Sequence, residues 1–120
     1  MYSNKLPIEV GNWVAGIGSS TPIEMTKRYA EKAVLLATYE KMLVGRSEIK
    51  GYFDDFLDKE NLKCKVVRNI TQIGLYEQIA SGIYVFSFVD KGSIQVVKAR
   101  YSFVVKGGLV VNHHSSETPE

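Results

Sequence analysis

The sequence predicts an α+β protein, helices first and strands last, with the helices packed on one face of an antiparallel sheet. Two observations carry this. Apolar residues recur at steps of three and four as far as residue 57, and from residue 62 onward they alternate. Two turns marked by glycine, Asp90-Lys91-Gly92-Ser93 and Gly107-Gly108, then fold the alternating part into a meander of strands at 76–89, 94–105 and 109–116.

Leu6, Val10, Trp13, Val14 and Ile17 form the stripe of a first amphipathic helix, with Pro7 suited to its first turn and Gly18 to its end. Gly11 and Gly16 weaken that helix by up to about 1 kcal/mol each relative to alanine, unless close packing requires them. Thr21-Pro22-Ile23-Glu24 reads as a second start: a capping hydroxyl, proline at the first helical position and a carboxylate at the third. The helix it opens carries Ile23, Met25, Thr26, Tyr29 and Ala30. The apolar run 33–37 that follows is either a short buried strand or that helix's end, which periodicity does not separate. After Gly45 and Ser47, the residues Ile49, Tyr52, Phe53, Phe56 and Leu57 share one face of a third helix, and Glu48, Asp54, Asp55 and Asp58 take the other. Leu62, Cys64 and Val66 then alternate with lysines. In the long strand after it, Ile83, Val85 and Ser87 face one way and Tyr84, Phe86 and Phe88 the other.

Composition bounds the function. A chain of 120 residues is a single domain, 1–120, and at 13.4 kDa it should expose roughly 6,500 Å² when folded, enough burial for a real core. Fifteen Lys and Arg against thirteen Asp and Glu leave +2, too little for a nucleic-acid footprint. The single cysteine, Cys64, excludes an intrachain disulfide, and two histidines with one cysteine leave a zinc site of those types short of ligands. The N-terminus lacks the pattern of a signal peptide, and the longest apolar run is far short of the roughly 20 residues that span a bilayer. A cytoplasmic protein with no membrane or nucleic-acid partner is expected, and residues 115–120 read as a polar tail.

Four groups stand out as candidate chemistry. His113-His114 are adjacent in a strand and so point to opposite faces. They cannot chelate one metal together, but either suits acid–base work near neutral pH. Arg100 lies mid-strand, where an inward guanidinium needs a partner and an outward one is only solubilising. With Gly107-Gly108 as a two-residue loop, Lys106 pairs with Leu109 and Arg100 falls opposite Ser115. A slip of one residue brings His114 or Ser116 beside it instead. Trp13, Tyr29, Tyr52, Phe56, Tyr84 and Phe86 read as core in which each buried hydroxyl needs a partner. The acidic run Asp54-Asp55 with Asp58 and Glu60 reads as a solvated helix face. Nucleophile elbows, phosphate loops and dinucleotide fingerprints are missing.

The segment Ala99-Arg100-Tyr101-Ser102-Phe103, a hairpin, and then Val110-Val111-Asn112-His113-His114-Ser115-Ser116-Glu117-Thr118-Pro119-Glu120 resembles the close of small SnoaL-like proteins of the nuclear transport factor 2-like superfamily. Within it the chain is most similar to the association domain of calcium/calmodulin-dependent protein kinase II. The resemblance runs back through Tyr52-Phe53-Asp54-Asp55-Phe56-Leu57 and Tyr29-Ala30 to Ala33-Val34-Leu35-Leu36. It implies a cystatin-like cone, with a long N-terminal helix and two shorter ones in the concavity of a strongly curved antiparallel sheet. It also implies a pocket at the open end and an outer sheet face that builds dimers or rings. Arg100 matches the family's pocket arginine, His114 the histidine before the terminal serines, Ser116 the last of those serines and Tyr52 the aromatic of the third helix. His113 sits where relatives vary. The chain departs from relatives in its short Gly107-Gly108 hairpin, lacks the Asp-His pair of cyclase relatives, and shows no kinase segment from which kinase activity or calmodulin binding would carry over.

The expected protein is therefore a homo-oligomeric binding module, a homodimer or larger ring, with a pocket for a small acidic or polar ligand and no cofactor or metal. Arg100 would grip an anionic group in bidentate fashion. His114, Tyr52 and Ser116 would add polar contacts, and Trp13 and Phe56 apolar walls. The competing expectations are a purely structural assembly domain, and a cofactor-free isomerase, dehydratase or cyclase with His114 facing inward as general base.

Overall fold

A computed structural model describes residues 1–38 and 42–119 of the chain. In order these are β1 (Tyr2–Ser3), α1 (Ile8–Gly16), α2 (Pro22–Lys27), β2 (Tyr29–Leu36), β3 (Met42–Val44), α3 (Gly45–Phe56), β4 (Glu60–Ile73), β5 (Glu77–Asp90), β6 (Ser93–Lys106) and β7 (Leu109–Glu117). The strands form one sheet in the order β1-β4-β5-β6-β7-β2-β3.

The first half differs from expectation in instructive places. Thr21 caps α2 by accepting the Glu24 amide N–H at 3.2 Å, with Pro22 at the first helical position. That helix stops at Lys27, however, so Tyr29 and Ala30 open a strand and the apolar run belongs to β2. Lying beside β7 as a parallel neighbour, β2 breaks the wholly antiparallel sheet expected. The implied long N-terminal helix is also corrected: α1 spans nine residues and α3 twelve. Gly11 and Gly16 limit α1, and only one has a packing reason. A Cβ on Gly16 would sit 2.7 Å from the Met25 sulfur, whereas one on Gly11 would meet nothing within 4 Å.

The second half follows the alternation closely. Lys91 and Gly92, then Gly107 and Gly108, all take positive φ, the geometry of two-residue hairpin turns whose twist matches the strands. Ala80, Tyr84 and Phe86 of β5 and Ala99, Tyr101, Phe103 and Val105 of β6 face inward under the helices. Register shifts curve the sheet, and two of them bear on the site. In β4 the register shifts between Val66 and Arg68. Opposite that shift, a Cβ on Gly82 would collide with the Arg68 carbonyl oxygen, so only glycine fits. In β7 the register shifts after Val105, so that Lys106 pairs with Leu109 as expected but Arg100 pairs with Ser116.

The polar tail is corrected as well. Ser115 is buried, β7 runs through Glu117, and the Thr118 amide donates to the Lys98 carbonyl at 3.0 Å. Glu120 lies outside the described residues. Among the described residues no helix is long and apolar enough to cross a membrane.

Candidate functional site

Between α3 and the ends of β5 and β6 lies an aromatic cavity of about 200 Å³. Tyr52 and Phe56 come from one face of α3, where spacing of four residues stacks their rings at 5.3 Å. Phe86 and Phe88 project from the inward face of β5 and Val97 from β6, and Thr38 also lines the cavity. Phe56 and Phe86 meet edge to face at 5.3 Å. At the rim stand Asp55 and Lys59, whose ammonium lies 4.5 Å over the Phe88 ring.

Behind the cavity runs a buried polar chain. The Trp13 indole N–H donates to the Tyr29 hydroxyl at 2.9 Å, and that hydroxyl hydrogen-bonds His113 Nδ1 at 2.8 Å. His113 Nε2 hydrogen-bonds the Tyr84 hydroxyl at 3.1 Å. Nearby, the Ser115 hydroxyl lies 2.7 Å from the Thr38 hydroxyl at the cavity wall. Phe103 stacks on the His113 ring at 3.8 Å. A void of only about 10 Å³ remains among these groups, sharing Tyr52 and Phe86 with the cavity.

Burial sets the protonation of this chain. His113 is pushed down to about 3, first by desolvation of its charged form and then by the neighbouring His114, so the ring is neutral at ordinary pH. Burial likewise raises the Tyr29 and Tyr84 phenols well above their ordinary range. Cys64, partly buried, is pushed up to about 12 by the same cause. Among the described residues no group of three His, Cys, Asp or Glu side chains is placed to hold a metal ion.

The six residues singled out in the sequence divide three and three. Tyr52 and Phe56 line the cavity, and Trp13 lies behind it in the buried chain rather than in the wall. Arg100, His114 and Ser116 share the opposite, outer face of the sheet, where Arg100 pairs with Ser116 and His114 with Ser102. Arg100 and His114 are exposed. The expectation that His114 turns inward is corrected to His113, 2% exposed. The cause is the register shift in β7: Val110 faces in, the extra residue at 111 is absorbed by the bulge, and His113 inherits the inward side. Arg100 follows from parity, since its neighbours Ala99 and Tyr101 are both buried. Sequence reasoning gives Tyr29, Tyr84 and Ser115 no role in binding. The demand of buried tyrosine hydroxyls for partners was the available signal.

A curved sheet of seven strands packed with short helices is the mixed α+β architecture shared by cystatin-like and nuclear transport factor 2-like folds. The family description "Calcium/calmodulin dependent protein kinase II association domain" matches residues 9–119, and the chain belongs to that family. A Xanthomonas campestris protein described as such an association domain is 32% identical, with a TM-score of 0.84 over 92% of this chain and 84% of that one. More distant likenesses show the fold alone. A Salmonella enterica nuclear transport factor 2-like superfamily protein shares 16% identity at a TM-score of 0.79, covering 94% and 88% of the two chains. A Caulobacter vibrioides protein with a cystatin-like fold shares 12% at 0.76, covering 93% and 86%. No curated protein matches the chain.

Proposed function

We propose that this protein is a homo-oligomeric module, at least a dimer, whose subunits join through the outer face of the sheet and whose aromatic cavity holds a small ligand. The observation that carries the assembly is β5, which is apolar on both sides. Its inward residues are covered by the helices, while Ile79, Ile83, Val85 and Val89 face outward. Beside them on β6, Ile94 and Val96 are 76% and 65% exposed. An antiparallel sheet with one wet face normally makes that face polar. The chain exposes 7424 Å². That is about 900 Å² more than the scaling for its mass, as expected of a fold with a face left to cover.

Arg100, His114 and Ser116 then belong to the joining face rather than to the ligand. The small acidic or polar ligand is retained with a different set of contacts: Phe56 and Phe86 as walls, Tyr52 and Thr38 as polar groups, and the Lys59 ammonium at the rim. The enzyme alternative needed His114 inside as a base, and its outward position removes that base.

Native mass spectrometry tests both parts. The protein should appear at a multiple of 13.4 kDa. A small extra mass should be lost in Val97→Trp, which fills the cavity. Val96→Asp, at a position exposed in the single chain, should dissociate the assembly. Retention of the full assembly in Val96→Asp contradicts the joining face. An extra mass that persists in Val97→Trp contradicts the cavity, and its absence even from the unaltered protein favours a purely structural assembly domain.

A further inference from the structure

The outer face of the sheet is not only apolar. Two outward residues of β5 each lie between a pair of cations. Ile83 pairs with Arg68 of β4 on one side and Arg100 of β6 on the other, and Val85 pairs in the same way with Lys65 and Lys98. All four cations are exposed. Neighbouring strands lie about 4.8 Å apart, so the two cations of each row leave the backbone about 10 Å from one another, within the joint reach of two long side chains. Ser116 stands opposite Arg100 and adds a hydroxyl to that row. The carboxylates of these strands do not offset the charge. Glu60, Glu77, Asp90 and Glu117 sit at strand ends, and Glu117 shares the inward parity of its partner Ala99. The ion pairs Lys27–Glu24 and Lys50–Asp54 belong to the helices, and among the described residues Lys65, Arg68 and Arg100 form none.

A face that joins a copy of itself meets its own charge. In an isologous interface both subunits present the same patch, so the cationic rows of one come against like charge from the other, which opposes joining. An oxyanion seated between the rows removes that repulsion. A guanidinium matches two phosphate oxygens with parallel N–H donors, a geometry that chloride does not offer. We propose that Arg68 and Arg100, flanked by Lys65, Lys98 and Ser116, form a site for a phosphate-type oxyanion on the outer face, and that the bound anion tightens the joining of subunits. The site belongs to the single chain, and only its effect on joining rests on the assembly proposed above.

Two measurements separate the site from its consequence. Isothermal titration of inorganic phosphate into the protein in chloride buffer reports the site directly. Binding is expected, and Arg68→Gln and Arg100→Gln should each weaken it about tenfold, the loss of one charge-assisted hydrogen bond. No binding, or binding unchanged in both variants, overturns the site. Phenyl phosphate in the same titration separates the sources of the anion: binding as tight as that of phosphate admits phosphate esters, and binding of phosphate alone restricts the site to the free anion. Sedimentation equilibrium then reads the subunit dissociation constant in chloride and in phosphate at matched ionic strength, so that general screening cancels. Phosphate should lower that constant about tenfold in the unaltered protein. Arg68→Gln should lower it already in chloride, by relieving repulsion, and should abolish the response to phosphate. Equal constants in the two anions, a full phosphate response in Arg68→Gln, or a constant raised by that substitution in both buffers overturns the linkage. A protein that binds phosphate but stays monomeric in both anions contradicts the joining face and leaves the site standing, whereas one that assembles without binding phosphate overturns the site and leaves the joining face standing.

Discussion

Acidification should destabilise this protein through one buried ring. His113 holds two hydrogen bonds as a neutral imidazole, and its pKa lies at about 3 in the folded chain against an ordinary value of 6.5. The unfolded chain therefore takes up a proton below about pH 6.5 that the folded chain refuses until about pH 3. The stabilising contribution is complete above that window and is lost as pH falls through it. Over the whole window the loss is about 5 kcal/mol, and by pH 5 it is already about 2 kcal/mol, at 1.36 kcal/mol for each pH unit below the ordinary value. The assay is urea unfolding at about pH 7.5, 6 and 5, at fixed protein concentration because assembly shifts apparent stability. His113→Gln supplies the reference: it does not titrate, and every other titrating group cancels in the difference. The unaltered protein should be the more stable at neutral pH, and its advantage should shrink by about 2 kcal/mol on going to pH 5. Parallel pH curves for the two proteins would refute the claim that His113 is held neutral by burial.

Three backbone and capping substitutions test the fold reading by thermal or urea unfolding. Gly11→Ala in α1 meets nothing within 4 Å and should stabilise by up to about 1 kcal/mol, and a destabilised variant would contradict the open space around it. Gly82→Ala should be severely destabilising because its Cβ collides with the Arg68 carbonyl and crowds the Tyr101 hydroxyl, so a neutral result would show that the β4 bulge relaxes freely. Thr21→Ala removes the acceptor of the Glu24 amide and should cost about 1 kcal/mol, with Thr21→Ser restoring most of it.

Much of the fold is legible in the residues because the second half obeys one local rule. Alternation from Leu62 onward and the Gly92 and Gly107-Gly108 turns place β5, β6 and β7 within a residue or so of their ends. Ile49, Phe53 and their neighbours place the body of α3, although the helix starts at Gly45 and takes in Ser47, which the sequence reads as lying before it. Tyr29 through Leu36 is harder, since its strand character comes from a parallel partner, β7, some eighty residues away in sequence. The site is less legible than the fold for one physical reason. A strand's two faces are exchanged by a single extra residue. The bulge near Val111 turns His113 inward and His114 outward, and nothing local in Val110-Val111-Asn112 announces it. Helical spacing, insensitive to such slips, puts Tyr52 and Phe56 on one face of α3, as the structure has them. Counting from the loop sets Arg100 opposite Ser115, and the same bulge moves it to Ser116.

The assembly is the central claim, and the mass of the native particle tests it most directly. The account predicts a multiple of 13.4 kDa, at least two subunits, that falls to the single-chain mass when Val96→Asp places a carboxylate on the outer face. A particle of 13.4 kDa in the unaltered protein would contradict it, since the apolar outward side of β5 would then face water uncovered.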